Sequence, residues 1–208
     1  MKLFLESIDL QEIRQAKELG VLDGLITSPG AARSAKVPLV DRLREIRAIT
    51  DHPISIELLS TQFRGMLQEA KTLSAAIENL LIRLPTIKDG LRACKELTSR
   101  GMKVNMSLCF EAPQALLCAK ARAAMVSMSI NLEKEGEALK TIRTIRRMYG
   151  NYGYGTEICV AGVTSASQLV EVASAGADAA VIPMSVVDEM LSDPVTKLGV
   201  QKIKSDAT

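Results

Sequence analysis

The chain has no tryptophan and a single histidine, His52. One imidazole, placed before Pro53 at a turn, cannot build a His-rich transition-metal cluster, and it offers no Ser-His-Asp relay. The four cysteines, Cys94, Cys109, Cys118 and Cys159, form no Cys-x-x-Cys pair and lie in apolar stretches, where they read as reduced core residues. No metal site and no cofactor is therefore expected. Aromatic residues make up only 3% of the chain against nine methionines, so its core must be filled by aliphatic side chains and flexible thioethers.

A dominant charge is also missing. Twenty-six basic and 24 acidic residues leave a formal charge of +2, spread along the whole sequence, so neither a nucleic-acid face nor a membrane-binding face is declared. Long apolar runs are absent as well. Near the N-terminus the apolar stretch Leu3-Phe4-Leu5 meets Glu6, too early for the core of a signal peptide, and no other run reaches bilayer-spanning length. A cytoplasmic protein acting on a small molecule is the expectation.

What the sequence does have is alternation. Short apolar runs at 2–6, 22–27, 54–58, 80–84, 103–108, 124–127, 157–161 and 179–182 read as strands. Between them, segments of helical period fall at 9–19, 39–50, 62–75, 87–99, 113–120, 135–149, 165–173 and 186–191. Gly20, Gly101 and Gly176 stand where helices must stop before the next strand. Strands this apolar are parallel and covered on both sides. Eight βα units with no boundary between them predict one (β/α)8 barrel over residues 1–208, rather than an open doubly wound sheet. The segment 194–204 has helical period but no strand after it, and is expected as a helical appendage.

In such a barrel the chemistry gathers at the C-terminal ends of the strands. Those ends carry Glu6, Thr27 with Ser28, Glu57 with Ser60, Arg83, Ser107, Ser127 with Ser129 and Asn131, and the backbone at Ala161-Gly162. Arg83 is the informative member. It interrupts the run Leu80-Leu81-Ile82-Arg83-Leu84-Pro85, and a charge inside a strand is costly unless paired. Glu57 on the preceding strand is the first candidate partner, and Glu6 across the barrel the second. Two readings are open: an internal ion pair that fills the mouth, or a binding site for an anion or a carbonyl oxygen. Arginine cannot form an imine, because its guanidinium stays protonated and its lone pairs are delocalised. Lys88 has an amine, but Ile87-Lys88-Asp89-Gly90 reads as the exposed first turn of a helix, not the desolvated pocket such a lysine requires.

These residues resemble the short transaldolases and fructose-6-phosphate aldolases across nearly the whole chain. Asp23-Gly24-Leu25-Ile26-Thr27-Ser28-Pro29 is similar to the family's Asp-Gly-Val-Thr-Thr-Asn-Pro, and Asn105-Met106-Ser107-Leu108-Cys109-Phe110-Glu111 to its Asn-Val-Thr-Leu-Val-Phe-Ser. Ile82-Arg83-Leu84-Pro85, followed by Gly90-Leu91, resembles Val-Lys-Ile-Pro with the same Gly-Leu beyond it. The resemblance therefore puts the family's Schiff-base lysine at Arg83, and the hydroxyl that holds its catalytic water at Ser107. Glu6 stands for a proton-transferring aspartate, Ser28 for a substrate-touching asparagine and Glu111 for a serine. Ser129 and Leu132 fall where an aromatic residue and an arginine are usual, and Gly162-Val163-Thr164 where phosphate contacts are usual.

The resemblance implies carbohydrate metabolism and a homo-oligomer, a pentamer or decamer, held partly by the C-terminal helix. It leaves three functions to weigh. One is a non-catalytic or regulatory barrel that keeps a pocket for a sugar or carboxylate; another is an enzyme using Glu6, Glu57 and Arg83 in non-covalent acid–base chemistry. The third is a residual transaldolase or aldolase working through another lysine. Candidate residues for the chemistry are Arg83, Glu6, Glu57 and Ser107; for ligand contact they are Thr27, Ser28, Glu111, Ser129, Asn131 and Gly162.

Overall fold

Eight short strands close on themselves in chain order: β1 (Lys2–Glu6), β2 (Gly24–Thr27), β3 (Ile54–Glu57), β4 (Leu80–Pro85), β5 (Lys103–Ser107), β6 (Met125–Ser129), β7 (Glu157–Ala161) and β8 (Ala179–Ile182). Every neighbouring pair is parallel, and β8 pairs with β1, so the sheet has no edge. The computed structural model describes residues 1–130 and 135–206. Around the barrel lie α1 (Leu10–Glu18), α2 (Pro29–Ser34), α3 (Leu39–Ile49), α4 (Phe63–Ala76), α5 (Lys88–Ser99), α6 (Ala112–Lys120), α7 (Glu135–Tyr152), α8 (Ala166–Ala175) and α9 (Met184–Met190), with α10 (Pro194–Asp206) beyond. The expected (β/α)8 architecture and the extra C-terminal helix are both present. Among the described residues no helix is long and apolar enough to cross a membrane.

Three strands, β1, β7 and β8, match the sequence expectation, and the ends of the other five shift by one or two residues, two of them for a visible local reason. β2 starts at Gly24 because Asp23 turns its carboxylate back to accept from the Leu3 amide at 2.8 Å. β5 stops at Ser107 because Leu108 takes a left-handed φ of 55°. The short helix α2 was not anticipated. Ser28 begins it as a cap, its hydroxyl accepting from the Ala31 amide at 3.2 Å, and Pro29 occupies the first turn where its missing N–H costs nothing. Gly20, Gly101 and Gly176 follow α1, α5 and α8 with φ of 69°, 80° and 102°.

Side-chain alternation divides the apolar residues into two bodies. The larger lies between sheet and helices; the smaller fills the barrel and consists of Phe4, Ile26, Leu81, Met125, Cys159, Ala179 and Val181. Phe4 fits there because its neighbour on β2 is Gly24, at which any Cβ would stand 2.4 Å from the ring. A second close approach locks the end of β4: a Cβ on Gly90 would come within 2.0 Å of the Pro85 carbonyl oxygen, so α5 begins tight against the strand that carries Arg83.

Backbone cannot yield as a side-chain tip can, so Gly90→Ala should destabilise the fold by about 1–3 kcal/mol. A urea-denaturation midpoint unchanged from the parent chain would contradict this packing.

Candidate functional site

The residues inside the barrel continue the alternation set by the inner core. If Phe4, Leu81, Met125 and Cys159 face inward, then so do Glu6, Arg83, Asn105, Ser107, Ser127, Ser129 and Ala161. A polar layer crosses the barrel at mid-height. Asn105, fully buried on β5, accepts at its amide oxygen from the Ser127 hydroxyl at 2.8 Å and donates from Nδ2 to Ser55 Oγ at 3.4 Å. Cys159 lies beside Ser127 in the same layer, and Arg83 is close enough to act on its thiol. Burial dominates there and pushes the Cys159 thiol up to about 12, against the smaller opposing influence of Ser127 and Arg83.

Above this layer Glu57 and Arg83 are register partners on β3 and β4. Arg83 Nη2 stands 3.5 Å from Glu57 Oε1, with the arginine side chain 22% and the glutamate side chain 38% exposed. The pair is looser than a bidentate clasp, and Arg83 Nε is buried with no acceptor among the described residues. Both side chains line one depression of about 490 Å³, together with Glu6, Thr27 and Ser28. Thr27 is buried, and its Oγ1 likewise has no described partner. Glu6 is exposed at the end of β1 and makes no hydrogen bond or ion pair among the described residues.

The structure brings five of the ten candidates together around that depression, and four others, Ser107, Glu111, Ser129 and Gly162, are not part of its lining. Ser107 is buried, its hydroxyl donating to the Leu84 carbonyl at 3.2 Å. Glu111 starts α6, where the Gln114 side-chain oxygen accepts from the Phe110 and Glu111 amides at 2.8 and 3.1 Å. Ser129 closes β6 half-buried, and Gly162 follows β7 with a left-handed φ of 82°. Asn131 lies outside the described residues. No lysine lines the depression among the described residues. Lys88 is exposed at the first residue of α5, while Lys2, at the opposite end of the barrel, pairs with Glu157. A guanidinium beside one carboxylate, in a depression that a second also lines, can polarise a carbonyl or hold hydroxyls, and either carboxylate can exchange a proton.

Sequence alone marks Ser127 as a strand-end residue and Cys159 as a core thiol, but not the interior layer that they form with Ser55 and Asn105. Its signal was present: the polar residues stand at alternate positions, in phase with Glu57 and Arg83. All four cysteines are buried and free of disulfides.

Burial pushes the thiols of Cys94 and Cys159 from 9.0 up to about 12. Between those values the unfolded chain gives up protons that the native chain keeps, so native stability should fall as pH climbs from about 9 towards about 12 and be indifferent to these thiols below about 9. Urea midpoints at about pH 8 and about pH 10.5, compared with those of Cys94→Ala/Cys159→Ala, measure the effect. An equal alkaline loss in both proteins would show that the thiols do not carry it.

Comparison with known proteins agrees with this architecture. The sequence profile described as Transaldolase/Fructose-6-phosphate aldolase matches residues 3–208. A probable transaldolase of Chelativorans sp. (strain BNC1) is 39% identical over 208 residues, 99% of this chain and 96% of that protein. One of Geobacter metallireducens is 39% identical over 210 residues, covering 99% and 97%; one of Brucella ovis is 38% identical over 208 residues, covering 99% and 96%. With a barrel of eight parallel strands and a match running almost end to end, the chain belongs to the transaldolase/fructose-6-phosphate aldolase family.

Proposed function

We infer that this family member does not perform Schiff-base aldol chemistry, and that its mouth instead holds a polar small molecule without a covalent bond. The observation that carries the reading is the occupant of the central position on β4, a guanidinium 3.5 Å from Glu57 in a depression lined by no described lysine. The family reaction needs an amine that attacks a carbonyl and then, as an imine, draws off electrons when the carbon–carbon bond breaks. A guanidinium has neither property. What it offers is donors, and Arg83 Nε and Thr27 Oγ1, both buried and lacking described partners, favour a ligand bearing hydroxyl or carbonyl oxygens.

A second reading, an enzyme of changed mechanism, is supported by Glu6. It is a carboxylate with no ion pair among the described residues, on the same depression as Arg83, an arrangement suited to moving a proton while the guanidinium steadies a developing oxyanion. The relatives named probable transaldolase favour the contrary reading, a retained transaldolase activity, which in this chain would have to run through another lysine.

Borohydride reduction in the presence of dihydroxyacetone or fructose 6-phosphate, followed by mass spectrometry, separates that reading from the two non-covalent ones. No lysine adduct is expected from the parent chain. Arg83→Lys should also trap poorly, because Glu57 beside the new amine favours its protonated, non-nucleophilic form. A substrate-dependent adduct on any lysine of the parent chain would sink the proposal.

Self-association through α10 belongs to the same reading. Among its described residues the helix buries none, and Val195, Leu198 and Ile203 are 65–74% exposed. An apolar surface of that kind is suited to a second copy of the chain, as the pentamer or decamer implied by the family resemblance would provide. Light scattering should give an oligomer for the full chain and a smaller species for a chain ending at Asp193. Equal masses would remove α10 from the interface.

A further inference from the structure

We propose that the mouth selects an uncharged or positively charged polar ligand, a polyol or an amine-bearing sugar, over a phosphorylated or carboxylated one, and that Glu6 sets this preference. The inference rests on reading the mouth as a ligand pocket.

The first ground is charge. Among the described groups lining the depression are two carboxylates, Glu6 and Glu57, and one guanidinium, Arg83. Arg83 and Glu57 offset one another across 3.5 Å, which leaves Glu6 uncompensated and the lining formally at −1. Among the described residues, the lining itself holds no cation besides Arg83. Arg42 reaches Ile8 from behind, donating to its carbonyl at 2.9 Å, and stands 3.0 Å from Glu45. Arg33 sits exposed on α2 and does not line the depression.

The second ground is that several backbone donors at the neighbouring strand ends and helix starts are already taken by the chain's own oxygens. The loops after the strands and the helix starts beside them are where a barrel gathers N–H groups for an anion. Here Glu69 accepts from the Leu59 and Ser60 amides at 3.0 Å each through its two oxygens, following β3. Asp89 accepts from the Phe63 amide at the start of α4, also at 3.0 Å. Following β7, Glu189 accepts from the Ala166 amide at 3.0 Å and the Gln168 side chain from the Thr164 amide at 2.9 Å, so the start of α8 holds a carboxylate of the chain itself. On α2 the Ser28 hydroxyl caps Ala31. A phosphate seated at those strand ends would have to displace these groups, and one in the depression would face Glu6.

A hydroxyl-bearing ligand meets neither obstacle. It can accept from Arg83 Nε, exchange a hydrogen bond with Thr27 Oγ1 and donate to Glu6 or Glu57. An ammonium group would gain further from the unpaired carboxylate. At separations of several ångströms near a protein surface, one unit charge against another changes affinity by about tenfold.

Isothermal titration of the full chain with fructose, glucosamine, fructose 6-phosphate and gluconate tests the preference. Fructose and glucosamine are expected to bind about tenfold or more tightly than the two anions, with the gap narrowing at high salt. Glu6→Gln should weaken glucosamine and strengthen fructose 6-phosphate, bringing the two within about threefold, while its unfolding midpoint stays near that of the parent. Fructose 6-phosphate binding as tightly as fructose, or a ranking unmoved in Glu6→Gln, overturns the preference and leaves the pocket in place. Failure of all four probes to bind overturns the pocket reading as well.

Discussion

A guanidinium on an inward-facing position of a closed barrel must be compensated where it stands, because the strand cannot rotate it into solvent without turning every other residue of β4 the wrong way. That constraint organises the mouth. The parallel register of β3 and β4 makes Glu57 the direct neighbour of Arg83, and the Nη2–Oε1 separation of 3.5 Å leaves the pair attracted but not clasped. A tight bidentate pair would have spent all the donors that matter on one carboxylate. The looser one leaves Nε buried and without a described acceptor, a condition worth about 1–3 kcal/mol against the site until something supplies an oxygen.

Below the pair, the barrel supplies stiffness rather than chemistry. Asn105 ties β5 to β3 and β6 through Ser55 and Ser127, and both hydroxyls are buried, so the three strands cannot slide without breaking bonds that water cannot replace. Beneath that lies the small apolar plug of Phe4, Leu81 and Met125, admitted by the bare backbone of Gly24. Behind β4, the contact of Gly90 with the Pro85 carbonyl fixes where α5 starts. Arg83 is thus held from the side, from underneath and from behind, as a group that must meet a ligand in one orientation requires.

The sequence made the barrel legible because its strands are short, apolar and separated by segments of helical period; parallel pairing then follows from crossover geometry. Arg83 and Glu57 were legible for the opposite reason, being charges in a run that otherwise tolerates none. What escaped was set by local backbone geometry. Nothing in the composition of 27–34 outweighs its shortness, so α2 shows only through the Ser28-Pro29 start. Ser107 looked like a mouth residue by position, and only the path of β4 reveals the Leu84 carbonyl that its hydroxyl reaches. Glu111 looked equally available, yet it begins α6 and joins the capping arrangement with Gln114.

Arg83 and Glu57 are best treated as one unit, since groups in contact do not contribute independently. Truncating Arg83 would leave Glu57 without its cation, and truncating Glu57 would leave a mostly buried guanidinium without its described ion partner. Replacing either alone therefore changes the charge of the mouth as well as its shape. The same coupling explains why restoring an amine at this position is not equivalent to restoring the family's chemistry. An imine-forming lysine depends on surroundings that favour its neutral form, and a mouth with carboxylates at Glu6 and Glu57 favours the ammonium instead. The identity of residue 83 and the charge of its neighbours act as a single property of the site.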